Sequence, residues 1–177
     1  MLKMILIALA VIVVVLVVVI VMQPGEFRVA RSATIAAPPP VVFAQVNDFH
    51  KWAWNPWGKI DPAMQQSYEG APFGTGAVYS WVGNKDVGEG RMTIIESRPS
   101  ELIRIKMEFF KPFAANSTAE FTFTPEGNQT AVTWSMSGTN NFFAKAMHLF
   151  ISMDKMIGGQ FDKGLAEMKS QAEAAAK

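Results

Sequence analysis

Hydrophobic and polar positions change their period along this chain, and each change marks an element. From Met4 to Met22 run nineteen residues without a charge, a polar side chain, a glycine or a proline. At about 1.5 Å of rise per residue, such a helix covers roughly 28 Å, close to the ~30 Å hydrocarbon thickness of a bilayer. A cleaved secretory signal would want an apolar region of about 7–15 residues and a small-x-small cleavage site. Gln23, Pro24, Gly25 and Glu26 instead break the helix and supply no such site. The run predicts an uncleaved transmembrane anchor through residues 4–22.

Alternation by two comes next. Phe27, Val29, Ala33 and Ile35 share one parity, interrupted only by Arg31, and predict a first strand. Pro38, Pro39 and Pro40 then open a short helix, Val41 to Asn47, where proline's fixed φ and missing N–H are tolerated. An aromatic segment follows, with Phe49, Trp52, Trp54 and Trp57 around the Asn55-Pro56 turn signal.

From Gln65 onward, strands alternate with turn residues. They end at Gly70, at Gly83-Asn84, at Arg98-Pro99-Ser100, at Lys111-Pro112, at Pro125 to Asn128 and at Gly138. Ile103, Ile105, Met107 and Phe109 oppose Arg104, Lys106 and Glu108. Phe121 and Phe123 oppose Glu120 and Thr122, and Val132, Trp134 and Met136 alternate with threonine and serine. One dry and one wet face predict an antiparallel sheet of six to seven strands.

After Gly138 the apolar positions step by three or four: Phe143, Met147, Phe150, Ile157, Phe161, Leu165 and Met168. They predict one long amphipathic helix, capped by Asn140 or Asn141, with its stripe against the dry face of the sheet. The expected class is α+β, a curved antiparallel sheet around a long C-terminal helix, preceded by one transmembrane helix. Residues 1–25 are the anchor and linker, 26–171 one domain, and 172–177 an Ala-rich tail expected to fray. About 150 residues suit a single domain with a real core.

That order of elements resembles a known superfamily. The residues that carry the likeness are Ala36-Ala37-Pro38 before Val42-Phe43, then Asn47-Asp48-Phe49 with Trp52 and Asn55-Pro56-Trp57. Thr133-Trp134-Ser135-Met136-Ser137-Gly138 and Gly164-Leu165 complete it. Over about Phe27 to Lys169 the chain resembles the START-like, polyketide cyclase/dehydrase and lipid-transport (SRPBCC) proteins. The resemblance implies a helix-grip fold with an apolar cavity between sheet and last helix. Members include ligand carriers, cyclases and regulatory binding modules, so the fold leaves function open.

Charge and composition narrow the choice. Lysines and arginines number 16 against 15 acids, and setting Lys3 aside leaves 15 against 15. A formally neutral domain argues against nucleic acid as a partner. Zero cysteines exclude disulfides, thiolate metal sites and cysteine nucleophiles. His50 and His148 stand in no metal-ligand spacing, and both are expected in solvent. The glycines between Gly83 and Gly90 lack a Walker or Rossmann continuation and read as hairpin turns. No cofactor, metal or catalytic residue is assigned, which favours a binding domain over an enzyme.

Cavity candidates follow from parity and the implied fold: Trp81, Met92, Met107, Phe109, Phe121, Phe123, Trp134 and Met136 from strands, and Phe150, Asp154 and Ile157 from the helix. The same side chains also suit ordinary core packing. Asp154 falls about 20° from Phe143 at ~100° per residue, inside the apolar arc. A carboxylate there needs a partner, so it is either a salt bridge to the sheet or an anchor for a ligand head group. Gly158 and Gly159 interrupt the helix at roughly 1 kcal/mol each. Close approach of a strand or ligand, or a kink, would explain them.

The expected function is a membrane-anchored domain that binds an apolar or amphipathic small molecule, lipids included. The alternatives are a cyclase or dehydratase in which Asp154, Tyr79 or Glu89 moves protons, and an envelope or stress interaction domain without ligand. The expected location is a bacterial inner membrane. Lys3 nearly balances Arg28 and Arg31 across the span, and the short N-terminal flank tips the expectation toward a non-cytoplasmic domain. Protein partners are not legible.

Overall fold

The computed structural model of the protein describes residues 1–177, the side chain of His148 excepted, so the expectation for His148 lies outside the described residues. Helix α1 spans Leu2–Val21 and is solvent-exposed along nearly its whole length, with only Ile20 near its C-terminal end buried. It is long and apolar enough to cross a membrane.

Seven strands form one antiparallel sheet: β1 (Glu26–Ile35), β2 (Gln65–Gly70), β3 (Ala77–Val82), β4 (Glu89–Arg98), β5 (Leu102–Lys111), β6 (Ala115–Glu126) and β7 (Gln129–Thr139). Their order is β1-β7-β6-β5-β4-β3-β2. Hairpins link β2 through β7 in sequence, and β1 closes on β7 with Val29 opposite Met136 and Arg31 opposite Trp134. Alternation set the faces as expected: Ile103 and Ile105 are fully buried, while Arg104 lies outside between Glu96 and Glu120.

Two helical layers cover the dry face. Helix α2 (Pro39–Asn47) buries Val42, Phe43 and Val46, and Phe43 meets Phe123 edge-on with ring centroids 5.5 Å apart. A 3₁₀ segment, Phe49–Trp54, and the short α3 (Trp57–Ile60) carry the aromatic run inward, with Trp54 fully buried. Trp52 and Trp54 hold this segment by donating their indole N–H groups to the carbonyls of Val46 and Gln45.

The C-terminal helix differs from expectation, because it is three pieces. Helix α4 (Phe142–His148), capped by the Asn141 side chain at 2.8 Å, ends at a turn over Leu149 and Phe150. A π-helical turn, Asp154–Gly158, then leads into α5 (Gly159–Ala175). A single 100° count from Phe143 cannot survive this, because the chain turns after α4 and a π turn adds a residue to the helical phase. Only the C-terminal half of the stripe packs on the sheet: Phe161, Leu165 and Met168 are buried, and Ile157 is half-buried. Phe150 is 81% exposed.

The tail expected to fray from residue 172 is helical to Ala175. Ala172 is fully buried, and the Glu173 carboxylate accepts the Ala36 N–H at 2.8 Å.

Candidate ligand-binding site

The sheet's inner face and the helical layer do not meet everywhere. Between them is a cavity of about 370 Å³, within the ~300–1,000 Å³ common for small-ligand sites. Its floor is Trp81 and Met92 from β3 and β4, Met107 and Phe109 from β5, Ala119 from β6, and Trp134 and Met136 from β7. Met153, Met156, Ile157 and Phe161 form the roof, and Trp52, Asn55 and Trp57 one wall. The floor exists because strand parity turns these residues inward. Asn140 and Ala144, at the start of α4, close one end of it.

Of the eleven candidates read from the sequence, Trp81, Met92, Met107, Phe109, Trp134, Met136 and Ile157 line this cavity. Phe121 and Phe123 do not. Phe121 stacks beneath Trp134 at 5.1 Å and Phe123 packs under α2, so both are core. Phe150 points to the outside after the break that follows α4.

Asp154 also lies outside the cavity, with its side chain 59% exposed. It accepts from Arg31 Nη1 at 2.8 Å, and Asp162 accepts from Arg31 Nε at 3.2 Å. The hydrogen bond and charge of Arg31 hold the Asp154 carboxyl below its ordinary pKa, and the two carboxylates raise that of Arg31. The interior-facing expectation for Asp154 is therefore corrected: it joins the helix to β1, as the salt-bridge alternative has it. Gly158 belongs to the same contact, because a Cβ there would stand 2.2 Å from Arg31 Nη2. Gly159 has open space beside it, and nothing in its surroundings explains the missing side chain.

One polar atom in this region has no partner. Trp134 is 5% exposed, its ring sandwiched between Phe161 (4.0 Å, 7° between planes) and Phe121, and its Nε1–H donates to nothing among the described residues. An enclosed donor without an acceptor costs about 1–3 kcal/mol. The neighbouring Gly164 leaves room for the far edge of that ring, since a Cβ would come within 2.8 Å of Trp134 Cζ3.

Among the three residues considered for proton transfer, only Tyr79 borders the cavity. Burial pushes its hydroxyl up to about 12, so it stays protonated at neutral pH. Glu89 pairs with Lys111 at 2.7 Å on the wet side. A second concavity of about 330 Å³, lined by His50, Lys59, Gln66 and Tyr68, lies against the outer side of Trp52, Asn55 and Tyr79. His50 stacks on Tyr68 there at 4.2 Å, its ring more than half exposed.

Several lining residues escaped the sequence: Phe27, Trp52, Trp57, Phe113, Met153 and Phe161. The density of tryptophan between 49 and 57 was the available signal for two of them. No periodicity announces that a loop will wall a cavity.

With this fold and cavity in view, the comparisons agree. Residues 26–173 match the family described as "Polyketide cyclase / dehydrase and lipid transport", and the chain belongs to it. No curated protein matches the chain. Among solved structures, TTHA0849 from Thermus thermophilus aligns with a TM-score of 0.61 at 16% identity, over 85% of this chain and 100% of that one. Ginseng major latex-like protein 151 from Panax ginseng gives 0.57 at 12% identity, over 84% and 99%. The di-domain ARO/CYC StfQ of the steffimycin biosynthetic pathway gives 0.61 at 12%, over 85% of this chain and 52% of that one. These likenesses are of fold.

Proposed function

We propose that the chain is a membrane-anchored START-like domain that binds an apolar or amphipathic small molecule, lipids included, between the sheet and the C-terminal helical segments. The observation that carries this is a 370 Å³ cavity lined mainly by Trp, Phe and Met. A guest with an apolar body would fill the space. Helix α1 supplies the tether, and a ligand that partitions into a bilayer gives tethering a purpose. On this reading the domain lies on the non-cytoplasmic side of a bacterial inner membrane.

A cyclase or dehydratase reading has less support. Such chemistry wants an acid and a base converging on one bound atom. Tyr79 borders the cavity without Glu89 or Asp154 beside it. An interaction domain without a ligand would want a filled interior, and the cavity weighs against that.

Native mass spectrometry of the detergent-purified full chain, with extraction of bound material, tests the reading. The expected result is a bound apolar or amphipathic molecule that is retained less well by Ala119→Leu, whose larger side chain enters the cavity. An empty cavity that also refuses fluorescent fatty acids and phospholipids overturns it.

A further inference from the structure

We propose that the domain lies on the lipid surface through α4 and the tip of the β5–β6 hairpin, and that the cavity opens toward the acyl chains there. This presupposes that α1 spans the bilayer, as the proposed function has it.

The junction with α1 sets the geometry. Lys145 Nζ on α4 donates to the Val21 carbonyl, the last residue of α1, at 3.1 Å. Asn140, just before α4, donates its backbone N–H to Gly25 at 2.8 Å and its side-chain amide to Pro24 at 3.1 Å. Helix α4 is therefore held at the level where a spanning α1 leaves the hydrocarbon. Antiparallel pairing brings the β5–β6 tip to the same end, because Glu26 pairs with Thr139, Gly138 with Ser117, and Ala115 with Phe109.

The side chains at this end suit lipid rather than water. Phe113 (62% exposed), Phe142, Phe143 and Phe150 (81%) stand out, and Phe113 touches Phe143 with ring centroids 4.8 Å apart. The hairpin tip and α4 thus make one apolar patch. Patches of this kind on a soluble surface mark an interaction site. The opposite end of the sheet turns through Arg98-Pro99-Ser100-Glu101 and Glu126-Gly127-Asn128-Gln129, which are polar. From Asn140 to Met153 the chain carries Lys145 and no acid, which suits anionic head groups around an interfacial segment.

The cavity faces the same way. The lining residues that are exposed are Phe113, Ala115, Asn116, Thr139 and Met156, four of them at the hairpin tip and the end of β7, while the rest are buried or half-buried. A membrane surface is favoured over a second copy of the chain because α1 already delivers this patch to the bilayer.

The test uses the absence of native cysteine. Single-cysteine variants Phe113→Cys, Phe150→Cys and, at the far end, Asn128→Cys are labelled with a nitrobenzoxadiazole dye. The full chain is reconstituted in phosphatidylcholine/phosphatidylglycerol vesicles with a nitroxide at a shallow acyl carbon. The dyes at 113 and 150 should shift to the blue and lose most of their emission, while that at 128 is unchanged. If both stay bright in a chain that resists carbonate extraction, the domain stands off the bilayer, and the inference falls while the anchor survives. Release by carbonate overturns the anchor and the inference together. Disulfide cross-linking between copies at 113 or 150 without quenching assigns the patch to a dimer and overturns the lipid surface.

Discussion

Leucine in place of Ala119 distinguishes a hollow interior from a filled one. Ala119 is 3% exposed, sits mid-strand in β6 between Met136 and Ile105, and borders the cavity. The substitution adds three carbons. Dropped into dry space, they contribute about 0.8 kcal/mol each, ~2.4 kcal/mol together, less the ~0.5–1 kcal/mol that a leucine loses in rotamer freedom. A net gain of roughly 1.5 kcal/mol raises the midpoint of a domain this size by about 3–6 °C. Ala172→Leu is the matched control: fully buried on α5, away from the cavity, it has no space to enter. Overpacking there costs about 1–3 kcal/mol and lowers the midpoint. Differential scanning fluorimetry of delipidated full chain in detergent reads both, and a fluorescent fatty acid titration should show Ala119→Leu binding more weakly. Equal falls in the two midpoints would refute the hollow core and with it the ligand site.

Two pH dependences follow from the polar contacts. Because Arg31 lowers the folded-state pKa of Asp154, the stabilisation it gives is full above the ordinary 3.8 and is lost as pH falls through the lowered value. Wild type and Asp154→Asn should therefore differ in thermal midpoint at pH 6 and converge in strong acid, with ligand retention the same in both. A variant that loses ligand at unchanged stability would return Asp154 to the cavity. Tyr79 behaves oppositely: its folded pKa is raised to about 12, so its contribution is intact below pH 10 and is lost as pH rises through that window. Tyr79→Phe should soften the alkaline fall in midpoint between pH 9 and 11.5, and a tyrosinate absorbance that is complete by pH 10 in the folded chain would contradict the burial argument.

Particular residues mark where sequence reasoning held. The strands were legible because a period of two is imposed locally, as Ile103 to Phe109 illustrates, and turn residues bracket each run. The helix stripe misled because a 3.6-residue period is blind to a break in the chain: Phe143 and Phe150 have its spacing and yet are exposed. Arg31 was the missed clue, an arginine on an otherwise apolar parity that announces carboxylates across from it, Asp154 and Asp162 as it proved.

Local order determined the apolar run of α1, the inward faces of β5, β6 and β7, and an asparagine cap at Asn140 or Asn141, since each depends on neighbours within a few residues. Tertiary structure alone decided that the C-terminal helix breaks after α4, that a cavity of about 370 Å³ remains between sheet and helices, and that the Trp134 N–H is enclosed without a partner among the described residues. Periodicity states which way a side chain points. Volume is set by how far apart two surfaces come to rest, and that is a balance struck between segments distant in the chain.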